Sequence, residues 1–134
     1  MAKCTKEQVV RWNAKLNNGF KLDLERFLVW NEKVAVKTIP LTDGRILKSE
    51  ISWQEERIGS IYRGETVLKP ILTFSVWSPG STPGVWVSRG MGTVVKLSDQ
   101  PYQKRNWNEL AKFTADWNES RLMDKAKSEI KDVA

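Results

Sequence analysis

Hydrophobic residues recur along this chain first at helical spacing, then in alternation, then at helical spacing again. In the first stretch Val9, Trp12 and Leu16 lie three or four residues apart, as on one face of a helix. Thr5 followed three residues later by Gln8 has the form of a capping box. Asn17, Asn18 and Gly19 end the helix, glycine supplying the left-handed conformation that commonly closes one.

From Phe20 the pattern changes. Phe20, Leu22 and Leu24 alternate like a strand, whereas Leu24, Phe27 and Leu28 also suit a short helix; a strand is expected from about Phe27 to Trp30. Asn31 and Glu32 make a turn before Val34 and Val36, a half-exposed strand that Pro40 ends or bends at an edge. Asp43-Gly44, between Ile39 and the Ile46-Leu47 pair, predicts a hairpin, because that turn needs the positive φ that glycine adopts freely. Leu47, Ile51 and Trp53 share one parity, and Lys48, Glu50, Ser52 and Gln54 the other. A further strand from about Ile71 to Trp77 places Leu72, Phe74 and Val76 on one face and Thr73, Ser75 and Trp77 on the other. Residues 78–84 form a loop on composition. Val85 to Ser88 and Thr93 to Leu97 supply more β-branched runs, and the whole reads as one twisted antiparallel sheet of four to six strands.

The last segment is helical. Asn106 and Glu109 give an N-terminal capping signature, and Trp107, Leu110, Phe113 and Trp117 form an apolar stripe. Leu122, Met123, Ala126, Ile130 and Val133 form a second stripe about half a turn away at about 100° per residue. One straight helix cannot bury both against the same sheet. Either it breaks near Asn118 to Ser120, or its end packs on a second surface, the N-terminal helix or another subunit. The N-terminal helix has its own stripe to bury, so a homo-oligomer contact through Met123, Ala126, Ile130 and Val133 is expected. The fold class is α+β in one domain, 1–134: an N-terminal helix, an antiparallel sheet, and a C-terminal helix with a candidate break near Asn118.

Composition narrows the chemistry. A chain of 134 residues can bury one core but not two. Lys and Arg number 22 against 16 Asp and Glu, a net charge of +6 that favours anionic partners. Cys4 is the only cysteine, so no intrachain disulfide can form and a reducing, cytoplasmic setting is expected. Charged and polar residues interrupt positions 1 to 20, which leaves no apolar run for a signal peptide or a membrane span.

The sequence contains no histidine, the commonest general base and metal ligand, and one cysteine makes no zinc or thiolate cluster. No metal or cofactor is therefore expected. Glu55 and Glu56, adjacent on a strand, point to opposite faces and make no natural carboxylate dyad, so the expectation is a binding protein and not an enzyme. Arg89-Gly90-Met91-Gly92-Thr93 could bring its backbone near a phosphate, but it lacks the spacing and the Lys of a phosphate-binding loop, and a β-bulge or tight turn explains it as well.

Seven tryptophans carry the remaining signal. Trp12, Trp107 and Trp117 lie on helix stripes and Trp53 shares parity with Ile51, all as core residues do. Trp77 and Trp86 instead lie opposite the apolar faces of their own strands. If the sheet has one wet face they stand on it; if helices cover both faces they belong to a second core layer. Between Thr66 and Arg105 the basic residues Lys69, Arg89, Lys96, Lys104 and Arg105 face only Asp99, whereas Asn106 to Ala134 has five basic and six acidic residues. Lys69, Trp77, Trp86, Arg89, Lys96, Lys104 and Arg105 are thus the candidate nucleic-acid-binding residues, rings stacking on bases while cations follow phosphates.

Strands followed by a helix that starts just after a basic loop, roughly Leu68 to Trp117, resemble in element order the curved-sheet single-stranded-DNA binders of the transcriptional-coactivator and Whirly type. That resemblance implies a single-stranded nucleic-acid ligand. It carries over no residue positions, and the N-terminal helix is a departure from it. The competing expectation is a small phage or mobile-element accessory protein that inhibits a host protein or sequesters a nucleotide ligand.

Overall fold

The computed structural model describes residues 6–30, 32–59, 64–88, 92–98, 100, 102 and 107–130. Its elements in order are α1 (Lys6–Asn13), β1 (Lys21–Leu22), α2 (Leu24–Trp30), β2 (Ala35–Pro40), β3 (Ile46–Ile58), β4 (Glu65–Pro79), β5 (Trp86–Ser88), β6 (Thr93–Lys96), α3 (Trp107–Asp116) and α4 (Glu119–Glu129). The six strands form one antiparallel sheet in the order β1-β2-β3-β4, with β5 and β6 both paired to β4. The α+β class and the strand count are as the alternation predicts.

Two hairpins of unequal length organise the sheet. The β2–β3 turn is where Asp43-Gly44 puts it: Gly44 has φ 87°, and the Asp43 carboxylate accepts from the Arg45 backbone N–H at 3.2 Å and side-chain Nε–H at 2.6 Å. The Arg45 side-chain bond is the largest of the effects that hold the Asp43 carboxyl below its ordinary pKa. A depressed folded-state pKa stabilises the fold above the unfolded pKa, and that contribution is lost as pH falls through the folded value. An NMR titration of Asp43 should therefore have its midpoint below the ordinary Asp range, and Arg45→Ala should return it upward.

Strand β3 pairs with β4 along its whole length, from Ile46↔Trp77 to Ile58↔Glu65. Alternation alone captures only their apolar centres. Pro70 lies inside β4, a central strand, where proline is normally excluded. Its carbonyl accepts from the Leu97 N–H at 3.0 Å. In an extended strand a residue's N–H and C=O point to the same side, so the missing donor faces the edge beyond Lys96, where β6 has ended, and β3 loses no bond.

One face of the sheet carries the core. Leu47 and Ile51 of β3, Ala35 and Ile39 of β2 and Leu72, Phe74 and Val76 of β4 are buried with Phe20, Leu22, Phe27, Trp107, Leu110, Trp117, Leu122 and Ala126. Trp12 of α1 lies edge-on to Phe27 at 4.7 Å and 6.5 Å from Trp107, joining the helices at one end. The N-terminal region is tied to α3 by polar contacts as well. The Asn17 N–H donates to Thr114 Oγ1 at 2.9 Å, and Asn18 Nδ2 donates to the Thr114 carbonyl at 2.7 Å.

Three expectations are corrected or refined. Residues Phe27 to Trp30 are helix, not strand, because Asp23 caps α2: its carboxylate accepts from the Arg26 N–H at 3.2 Å and its carbonyl from the Phe27 N–H at 3.1 Å. The first helix ends at Asn13, earlier than its stripe suggests, because the Asn13 side chain accepts from the Leu22 N–H at 2.7 Å; Leu16 still packs on the core. The C-terminal helix does break at Asn118, whose side chain accepts from the Arg121 N–H at 2.8 Å and caps α4. The break turns the second stripe toward the same core as the first. Ala126 is completely buried within the chain, and Met123 and Ile130 pack against the core while partly buried. Of the stripe expected to need a partner subunit, Leu122 and Ala126 are buried within the chain, while Met123 and Ile130 keep part of their surface exposed. Val133 lies outside the described residues, as do Thr5, Asn31 and Asn106.

Candidate nucleic-acid interface

The register fixes what stands on the face away from the core. Ile46, Lys48 and Glu50 of β3 lie opposite Trp77, Ser75 and Thr73 of β4, while Lys96 of β6 lies opposite Ile71 and Trp86 of β5 opposite Pro79. Trp77, Trp86, Lys69 and Lys96 therefore share one sheet face, opposite Leu72, Phe74 and Val76. Trp77 is half-buried. Its Nε1–H donates to Ser75 Oγ at 2.9 Å, and the Lys48 ammonium lies 5.3 Å from its ring centroid. Trp86, diagonal to Trp77 on the edge strand, is 41 % exposed and offers the more open ring.

The cations are distributed less simply than the sequence suggests. Lys69 lies eight residues from Trp77 along β4, about 26 Å at a strand's rise. Lys69 and Lys96 sit together at that distant end, 3.2 and 3.9 Å from the Glu56 carboxylate. Glu56 comes from the preceding strand, so counting charges within residues 66–105 leaves it out; the hairpin register brings it onto this face. Among the described residues the cation over Trp77 is Lys48, also 3.5 Å from Glu50, which Arg26 meets at 3.2 Å. Lys48 was detectable only as a polar-parity residue of β3. Arg89, Lys104 and Arg105 lie outside the described residues. So does most of the glycine-containing segment, but Gly92 is described. A Cβ there would meet the Phe74 carbonyl oxygen at 3.0 Å, a close strand approach that suits glycine.

Other exposed apolar groups flank the sheet. Val85, Val87 and Val94 are exposed along β5 and β6, whose outer side pairs with no described strand. Trp30 is 70 % exposed at the end of α2, with Leu24, Leu28 and Val29 exposed on the same helix. Among the described residues no three His, Cys, Asp or Glu side chains gather as a metal site, and no described helix is long and apolar enough to cross a membrane.

The chain matches no protein-family model, no curated protein and no solved structure.

Proposed function

We propose that this chain is a non-enzymatic binding protein whose tryptophan-bearing sheet face holds single-stranded nucleic acid. Trp86 and Trp77 stack on bases, and Lys48, Lys69 and Lys96 follow the phosphates, with Arg89, Lys104 and Arg105 adding to the same field. The observation that carries this reading is the placement of two tryptophans and three lysines on one sheet face, opposite the residues that build the core. Stacking on such a ring is tolerant of sequence, because every base has a π-face.

Anisotropy titrations with a labelled single-stranded oligonucleotide at several salt concentrations test the proposal. Affinity should fall log-linearly with salt, by about 0.7 units of slope per phosphate neutralised. Trp86→Ala should weaken binding by roughly 1 to 3 kcal/mol per stacked base while leaving the melting temperature nearly unchanged. Binding that is insensitive to both salt and Trp86→Ala would sink the proposal.

A protein partner is the second reading, as for an accessory factor that inhibits a host protein. It is favoured by the exposed valines on the outer edge of β5 and β6, where an extended segment of another chain could add as a strand. A salt-insensitive complex with a protein would distinguish it from the first.

A further inference from the structure

Strand β6 pairs with β4 along its inner edge and with no described strand along its outer edge. The Leu97 N–H donates to the Pro70 carbonyl at 3.0 Å, so Leu97 turns its backbone groups inward to β4. Inward and outward positions alternate along such a strand. Val95 and Thr93 therefore also face β4, and the N–H and C=O groups of Val94 and Lys96 point out of the sheet. Val95 lies opposite Leu72 and shares its core face, whereas Val94 and Lys96 carry their side chains on the tryptophan face. Under this edge, on the core side, an open groove of about 520 Å³ runs between β6 and the two C-terminal helices. Val95, Leu97, Phe113 and Trp117 form its apolar wall, and the first three keep part of their surface exposed. The Arg121 guanidinium lies 4.1 Å from the Trp117 ring and spends one nitrogen on the Asp116 carbonyl at 2.7 Å. Lys125 meets Glu129 at 3.1 Å. The Asp116 and Asp124 carboxylates line the same groove with no ion-pair partner among the described residues.

We propose that β6 is the two-fold interface of a homodimer: a second copy of this chain adds antiparallel to its outer edge, and the sheet continues from one protomer into the other. The two outward-facing residues flank Val95 symmetrically, which fixes the register. Val94 of each protomer exchanges both backbone hydrogen bonds with Lys96 of the other, and the two Val95 side chains meet over the groove in the close, non-hydrogen-bonded position on the axis. Like charges are not opposed, because Lys96 stands beside the copy's Val94. Its aliphatic stem then covers a valine that is 47 % exposed in the single chain. A two-fold contact must be complementary to itself, and the groove wall meets that condition: Arg121 and Lys125 share it with two unpaired carboxylates, a balance that a uniformly acidic or basic strand would leave half unmatched. The interface does not depend on nucleic-acid binding and leaves Trp77 and Trp86 uncovered.

Sedimentation of the full chain should show a reversible dimer. Val94→Pro removes an N–H that points away from β4, so the protomer keeps its ladder, while the dimer loses one donor from each chain. The dissociation constant should rise about a hundredfold or more, with the melting temperature in dilute solution nearly unchanged. Cross-linking tests the register separately, with Cys4 first replaced by Ser. Paired positions on the axis have Cα atoms about 4.5 Å apart, within disulfide reach. Val95→Cys should therefore form a covalent dimer on mild oxidation, and Val94→Cys, opposite the copy's Lys96, should not. A chain that sediments as a monomer at every concentration would overturn the proposal and leave the edge to an extended segment of another protein. A dimer indifferent to Val94→Pro, or equal cross-linking at both positions, would overturn it as well.

Discussion

Phe74→Ala is expected to lower the unfolding free energy by about 3 to 5 kcal/mol, the range for truncating a buried aromatic. Phe74 is fully buried near the middle of β4, on the core face. It lies opposite Ser49 of β3, itself fully buried, and Thr93 of β6. A serine directly across the ladder is how the core admits a ring of this size. The flanking strands are held by hydrogen bonds on both sides of β4, so the backbone cannot collapse into the lost volume, and the loss should lie toward the upper end. Urea denaturation is the measurement: the midpoint should fall with little change in slope. Thr73→Ala provides the control, because Thr73 is half-buried on the opposite face of the same strand and should cost under about 1 kcal/mol. Comparable losses at both positions would contradict the register, since a slip of one residue exchanges the two faces.

What the sequence disclosed and what it hid follow from how local each signal is. Asp43-Gly44 announced its hairpin because the turn's conformation is decided by those two residues. The core face of β4 was visible because Leu72, Phe74 and Val76 alternate without interruption. The half-turn offset between the two C-terminal stripes left two solutions, a break near Asn118 or an end packed on a second surface, and the cap at Asn118 shows the break. Over Phe27 to Trp30, by contrast, four consecutive bulky residues satisfy either period. The deciding feature was the cap at Asp23, four residues upstream of Phe27, and four of the five exposed residues of α2 are apolar, which conceals its amphipathicity. The candidate interface was half legible. Parity alone put Trp77 and Trp86 on one face, but Glu56 beside Lys69, and Lys48 beside Trp77, depend on a register over thirteen residue pairs that one sequence does not state. The buried indole N–H groups of Trp53 and Trp107 were hidden entirely, because both residues follow patterns that read as ordinary core, and only the fold shows them without an acceptor among the described residues.

The C-terminal helix gives the other large expected effect. Ala126→Glu should cost more than about 4 kcal/mol, enough to abolish cooperative folding in a domain of ordinary stability. Ala126 has no exposed surface and sits with Leu122 in the core that holds Trp107, Leu110 and Trp117, so a glutamate there must either bury a charge without a partner or push α4 off the sheet. Lys127→Glu, one residue along on the exposed side of α4, should stay within about 0.5 kcal/mol of the parent. Near-ultraviolet circular dichroism on heating, with light scattering on the same samples, separates the alternatives. If the second stripe is core, Ala126→Glu loses its tertiary signal at a temperature where the parent and Lys127→Glu keep theirs. An Ala126→Glu chain that melts like the parent and differs only in solution mass would instead mean that this stripe is used between subunits, and that the helix break at Asn118 does not serve to bury it.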